Sequence, residues 1–127
     1  HRLSGKKIMS ILAYILTTLV ALEHFYIMYL EMFALNSPKA RQIFNLDEQT
    51  ASNPKIQLLF ANQGLYNGFL AAGLIFSLCI QQSAVTYFFL SCVIVAAVYG
   101  AISAKNKGIL IKQGMPAVFT LVLQIIA

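Results

Sequence analysis

Ala21-Leu22-Glu23-His24-Phe25-Tyr26-Ile27-Met28-Tyr29-Leu30-Glu31-Met32-Phe33 sets two carboxylates and an imidazole inside an apolar run that extends from Ile8 to Leu35. A run of that length crosses a bilayer as a helix, since about 20 residues at about 1.5 Å each span the hydrocarbon. An ionisable group in such a segment costs about 2.5 to 3.5 kcal/mol at the helix centre, so it needs a partner or a task.

The chain around this stretch has 127 residues, 59% of them hydrophobic and 10% charged, with a mean hydropathy of +0.74. Soluble domains carry about 25% charged residues, so an integral membrane protein is implied, with residues 9–127 as one domain. The opening His1-Arg2-Leu3-Ser4-Gly5-Lys6-Lys7 has no small-residue cleavage site; residues 1–8 read as a tag or linker remnant. The net charge of +5 comes from lysines and arginines at the edges of apolar spans, not from a patch with interleaved aromatics, which excludes nucleic acid as a partner. Cys79 and Cys92 lie inside apolar spans without paired spacing and read as small buried thiols.

Four apolar segments follow, at about 9–35, 56–80, 84–104 and 109–126. They are continuous and not alternating, which excludes a membrane barrel and leaves helices to satisfy the backbone. The expected fold is an all-α membrane protein, four transmembrane helices in an antiparallel bundle. Ser37 and Pro38 form an N-cap and first helical position, so a short interfacial helix is expected over Pro38–Phe44, with Ile43, Phe44 and Leu46 dipping toward lipid. Lys39, Arg41 and Lys55 flank the first connection and Lys105, Lys107 and Lys112 the third, while the second has no basic residue. The positive-inside rule then places the first and third connections in the cytoplasm and both termini outside.

Helical periodicity sets Glu31 about 80° and His24 about 100° from Glu23, an arc shared with Ala13, Thr17 and Ala34. Leu22, Phe25, Tyr29 and Phe33 fall on the other, lipid-ready side. In the second span Asn62, Gln63, Tyr66 and Asn67 share an arc, beside a small-residue strip of Gly64, Gly68, Ala71 and Ala72 suited to close helix contact within the bundle. Cys92, Ala96, Tyr99 and Ser103 align on the third span; Gln113, Ala117, Thr120 and Gln124 align on the fourth, where Pro116 kinks the first turns and Gln113 caps a freed carbonyl.

The candidate ligand-binding residues are therefore Glu23, His24, Glu31, Asn62, Gln63, Tyr66, Asn67, Tyr99 and Gln113. One reading makes them a proton-responsive site in which Glu23, near the midplane and beside His24, exchanges protons as a small or lipophilic ligand comes and goes, in a carrier or lipid-ligand binding protein. A second makes Glu23 and His24 the acid and base of a membrane isomerase acting on a lipophilic substrate. A third, a subunit of a membrane complex, uses the same groups to hold helices together. A metal site is disfavoured, because the lone histidine's two carboxylates stand about 12 Å apart along the helix. Neither a nucleophile elbow nor a phosphate loop is present, and no cofactor is implied. Membrane lipid, a small or lipophilic ligand and a second copy of the chain are the partners to expect.

The first two motifs, with Cys92-Val-Ile-Val-Ala-Ala-Val-Tyr-Gly-Ala101 and Gln113-Gly-Met-Pro-Ala117, resemble the small bacterial membrane proteins grouped as DUF1304, from Met9 to the end and in the same order. Motif positions of that family correspond to Glu23, His24, Tyr26, Glu31, Asn62, Gln63, Tyr66, Asn67, Tyr99, Gly100, Gln113, Gly114 and Pro116. The resemblance implies a four-helix, multi-pass protein of the bacterial inner membrane and no particular activity.

Overall fold

The computed structural model describes residues 4–127, so positions 1–3 of the expected remnant 1–8 lie outside the described residues. The first helix, α1, runs Gly5–Phe33 without an internal glycine or proline to interrupt it. Helix α2 (Pro38–Phe44) starts where expected. The Ser37 side chain accepts a hydrogen bond from the Ala40 N–H at 3.2 Å, and Pro38 occupies the first turn, where its missing N–H costs nothing. It ends at Asn45, whose left-handed φ of 54° lets the Leu46 N–H reach back to the Arg41 carbonyl at 2.9 Å. Ile43, Phe44 and Leu46 are half-buried, and Phe44 meets the Phe60 ring at 5.4 Å.

A four-residue helix, α3 (Glu48–Ala51), is capped by Asp47, whose carboxylate accepts the Thr50 N–H at 2.6 Å. Hydrogen bonds from the backbone N–H and the side chain of Thr50 hold the Asp47 carboxyl below the ordinary aspartate range. A carboxyl whose pKa falls on folding stabilises its turn fully above about pH 4, and that stabilisation is lost as pH drops through the folded-state value. Amide exchange at Thr50 is therefore expected to be protected at neutral pH and to lose protection in acid, and Asp47→Ala to remove the protection at every pH. Retained protection in that variant would disprove the cap.

Helix α4 spans Pro54–Cys79, α5 Ser83–Ser103 and α6 Lys107–Ile109; a π-helical turn, Leu110–Gly114, then leads into α7, Met115–Ile126. Among the described residues there is no strand. Three helices are long and apolar enough to cross a membrane: Gly5–Phe33, Ser83–Ser103 and the run Lys107–Ile126. Helix α4, 26 residues long, has the length but not the apolarity, because Asn62, Gln63 and Asn67 dilute its first half. Leu22, Tyr29, Phe88, Val95, Ile102, Phe119 and Ile125 each leave more than half of their surface uncovered, which water penalises and hydrocarbon does not.

The residues divide into two compact units, one of Leu22–Ala71 and one formed by the chain up to Ala21 with Ala72–Ala127. Within the second, small and branched side chains fill the interior: Ala13, Thr17, Leu74, Ser77, Leu90, Val93, Ala97, Ala117 and Thr120 are buried. Small residues let helix backbones approach where no hydrophobic force drives helices together in lipid. The Gly73 position abuts the Phe89 ring, and a Cβ on Gly114 would lie 3.3 Å from that of Ala97.

One expected stripe is corrected. The inner face of α5 carries Thr86, Leu90, Val93 and Ala97, whereas Ala96, Tyr99 and Ser103 are exposed and Cys92 is half-buried. The helix is apolar all round, so weakly polar groups do not decide its rotation; side-chain size does, and the bulky Tyr99 turns outward. Around Pro116 the chain widens: the Met115 N–H reaches the Leu110 carbonyl, one residue further back than in an α-helix, so the backbone itself takes up the irregularity.

Candidate functional site

In the unit Leu22–Ala71 the last turns of α1 lie against the first half of α4. The approach is set by Gly64, where a Cβ would stand 2.8 Å from Met32 Cγ, 3.0 Å from Glu31 Cβ and 3.2 Å from the Met28 carbonyl oxygen. Gly68, one turn on, faces Met28. The glycine spacing thus serves contact between these two helices. With the backbones so close, Asn67 reaches across: its Nδ2 donates to Glu31 Oε1 at 2.6 Å.

Glu31 is 1% exposed, and its other oxygen, Oε2, is enclosed without a hydrogen-bond partner among the described residues. A buried carboxyl with one oxygen held and the other unsatisfied is costly unless something else engages it, whether a proton, a hydrogen-bond donor or a cation. Seven residues earlier, about two helical turns, His24 is 2% exposed on the same side of α1. Its Nδ1 stands 3.9 Å from Glu23 Oε1, close enough for charge interaction but beyond hydrogen-bond length. The Glu23 side chain is 35% exposed, in keeping with its offset around the helix, although its Oε1 is enclosed.

The structure thus pairs Glu31 with Asn67 and sets His24 beside Glu23, but does not gather the rest around them. Asn62, Gln63 and Tyr66 are exposed. Asn62 and Tyr66 each lie two residues from Gly64, about 160° around the helix, so a face that buries Gly64, Gly68 and Ala71 must turn both of them away. Tyr99 and Gln113 belong to the other unit, Tyr99 72% exposed and Gln113 half-buried in the π-helical turn. No cluster of three or more His, Cys, Asp or Glu side chains suited to a metal ion occurs among the described residues.

Two polar contacts in that other unit, one part-buried and one buried, lay outside the candidate set. Gln124 Nε2 donates to Thr17 Oγ1 at 2.8 Å, joining a residue of the Glu23 arc to one of the stripe aligned on the fourth span. Thr86 Oγ1 donates to Ser77 Oγ at 2.7 Å, and Ser77 passes the chain on to the Leu74 carbonyl at 2.6 Å. The legible signal for the second was the tight turn after Cys79, which brings residues on either side of it face to face.

Comparison with known proteins gives the chain relatives over nearly its whole length. Residues 18–125 match the family DUF1304, described as a protein of unknown function. The uncharacterized protein YpaA of Lactococcus lactis is 40% identical over 116 residues, covering 90% of this chain and 97% of that protein. An uncharacterized protein of Haemophilus influenzae is 76% identical over 29 residues, 23% of this chain and 37% of its own length. No solved structure matches.

Proposed function

The chain belongs to the DUF1304 family, and from that premise we propose that it is a multi-pass inner-membrane protein whose Glu31 carboxyl, oriented by Asn67, binds a small or lipophilic ligand with exchange of a proton. In this reading residues 9–127 form one membrane domain, with α4 as a fourth span of an antiparallel bundle. The connections bearing Lys39 and Lys105 face the cytoplasm by the positive-inside rule. The observation that carries the proposal is the enclosed Glu31 Oε2, without a hydrogen-bond partner among the described residues, beside an Oε1 held at 2.6 Å. An amide would hold two helices together at far lower cost than a carboxyl in this setting, which favours a ligand role over glue. His24 beside Glu23 supplies a second proton-bearing pair on the same helix, suited to relaying what Glu31 releases to the medium.

The test uses protein in weakly buffered nanodiscs with a pH-sensitive dye, challenged with a total small-molecule and lipid extract of the expressing cells. Saturable proton release, absent in a folded Glu31→Gln variant, is the expected result. A change in the composition of the extract would instead favour acid–base catalysis by Glu23 and His24. No response, or an equal one from Glu31→Gln, would refute the proposal.

A further inference from the structure

The unit formed by the chain up to Ala21 and Ala72–Ala127 contains a cavity of about 310 Å³ that shares no residue with the Glu31 pair. It lies where the start of α1, the turn between α4 and α5, and the end of α7 meet, and Tyr14, Gln81, Gln82, Thr86, Tyr87 and Gln124 carry its chemistry. We propose that this cavity binds a neutral hydroxylated group, a single sugar ring or a glycerol moiety.

Its size falls at the lower end of the about 300 to 1,000 Å³ of small-molecule sites, enough for one ring or headgroup. Among the described residues no Asp, Glu, Lys, Arg or His side chain lines it, so an ionic ligand would enter without a side-chain counter-charge, at high cost. An acyl chain is equally mismatched, since it would strip water from amides and hydroxyls and return no hydrogen bond. A neutral polyol satisfies both conditions: its hydroxyls donate and accept, as amides and hydroxyls require.

Thr86 and Gln124 already donate to Ser77 and Thr17, but the two tyrosines and Gln82 are available. Tyr14 Oη donates to the Leu78 carbonyl at 3.3 Å and Tyr87 Oη to the Gln124 carbonyl at 3.4 Å, both longer than the about 2.5 to 3.0 Å of a good O–H···O bond. Either hydroxyl can turn to a better partner, and each ring offers an apolar face to the C–H face of a sugar. Gln82 precedes α5 without spending its side chain on a capping bond.

The turn itself points the same way. Gln81 has a φ of 54°, left-handed backbone that favours glycine, in a turn closed by the Gln82 N–H on the Ser77 carbonyl at 3.2 Å. A glutamine where glycine would be less strained is accounted for by a side chain with a use at the cavity rim. The position therefore separates binding from folding: Gln81→Gly relieves backbone strain while deleting the amide.

The experiment uses the full chain, purified in a phosphocholine detergent and moved to phosphatidylethanolamine nanodiscs containing either glucosyl diacylglycerol or phosphatidic acid, which has no polyol headgroup. Retained lipid is read by native mass spectrometry, and a parallel arm measures radiolabelled glucose and glycerol by equilibrium dialysis. Preferential retention of the glucosyl lipid is expected if the group is lipid-borne, and saturable binding of glucose or glycerol if it is free. Gln81→Gly and Gln82→Ala should each weaken binding about fivefold, the scale of one lost hydrogen bond, with the melting temperature of Gln81→Gly unchanged or raised. Equal retention of phosphatidic acid, absence of binding in both arms, or indifference to both substitutions overturns the proposal. Should Gln81→Gly melt earlier, Gln82→Ala decides alone.

Discussion

Asn67→Leu is expected to destabilise the protein by about 1 to 3 kcal/mol, the cost of leaving a buried polar group without its partner. Hydrogen bonds between membrane helices average only about 0.6 kcal/mol, because separated helices find other partners in the membrane. The larger figure applies here because Glu31 is 1% exposed and, among the described residues, Asn67 donates the one hydrogen bond to its carboxyl, at 2.6 Å. The asymmetry of buried hydrogen bonds gives a sharper expectation. Removing both partners by Glu31→Leu with Asn67→Leu should recover most of the loss, since two apolar groups leave nothing unsatisfied. Reversible unfolding in mixed micelles measures both. A double variant no more stable than Asn67→Leu alone would mean that the two side chains act independently.

Gly64→Val should cost a comparable amount by a different route, about 1 to 3 kcal/mol from overpacking. A Cβ there would stand 3.0 Å from Glu31 Cβ and 3.2 Å from the Met28 carbonyl oxygen, atoms close to or in the backbone of α1 that move only if the helix moves. Separating α1 from α4 also draws Asn67 away from Glu31, so ligand-driven proton release should fall with stability. Gly68→Ala is expected to cost less, because it meets the flexible Met28 thioether. Gly5→Ala, with nothing within 4 Å, should be neutral. Equal melting temperatures for the Gly64 and Gly5 variants would contradict this contact.

Much of the fold was legible because hydrocarbon imposes simple rules. Long apolar runs become helices, Ser37-Pro38 starts one, and Gly64 and Gly68 mark a close contact. Within the site, burial cost picked out Glu31 together with Glu23 and His24 without separating the buried Glu31 from the partly exposed Glu23, and periodicity placed Asn67 near the contacting strip. What periodicity could not do was rotate each helix correctly. In a soluble helix polar groups mark the outside; in a membrane helix they face either a partner or the interface, and Asn62, Gln63 and Tyr66 turn away while Asn67 turns in. The rotation is set by where the backbone can come closest, which makes the glycines a better guide than the amides. Helix α5, with neither glycine strip nor charge in its middle, gave no such guide, and Tyr99, a candidate binding residue by sequence, is 72% exposed. The left-handed Gln81 was equally hidden, since the turn tables favour glycine there and the glutamine gives no local hint of that geometry.

The most direct test is a solid-state nuclear magnetic resonance measurement in bilayers, recoupling the side-chain Cδ of Glu31 with Nδ2 of Asn67, on protein retaining its native small molecules and again after they are stripped by detergent. Strong dipolar coupling in line with the 2.6 Å nitrogen–oxygen contact, together with a Glu31 Cδ shift that changes on stripping, is the expected result. Absent coupling, or a carboxyl resonance unaltered by stripping and by adding the extract back, would contradict a ligand-handling role for Glu31.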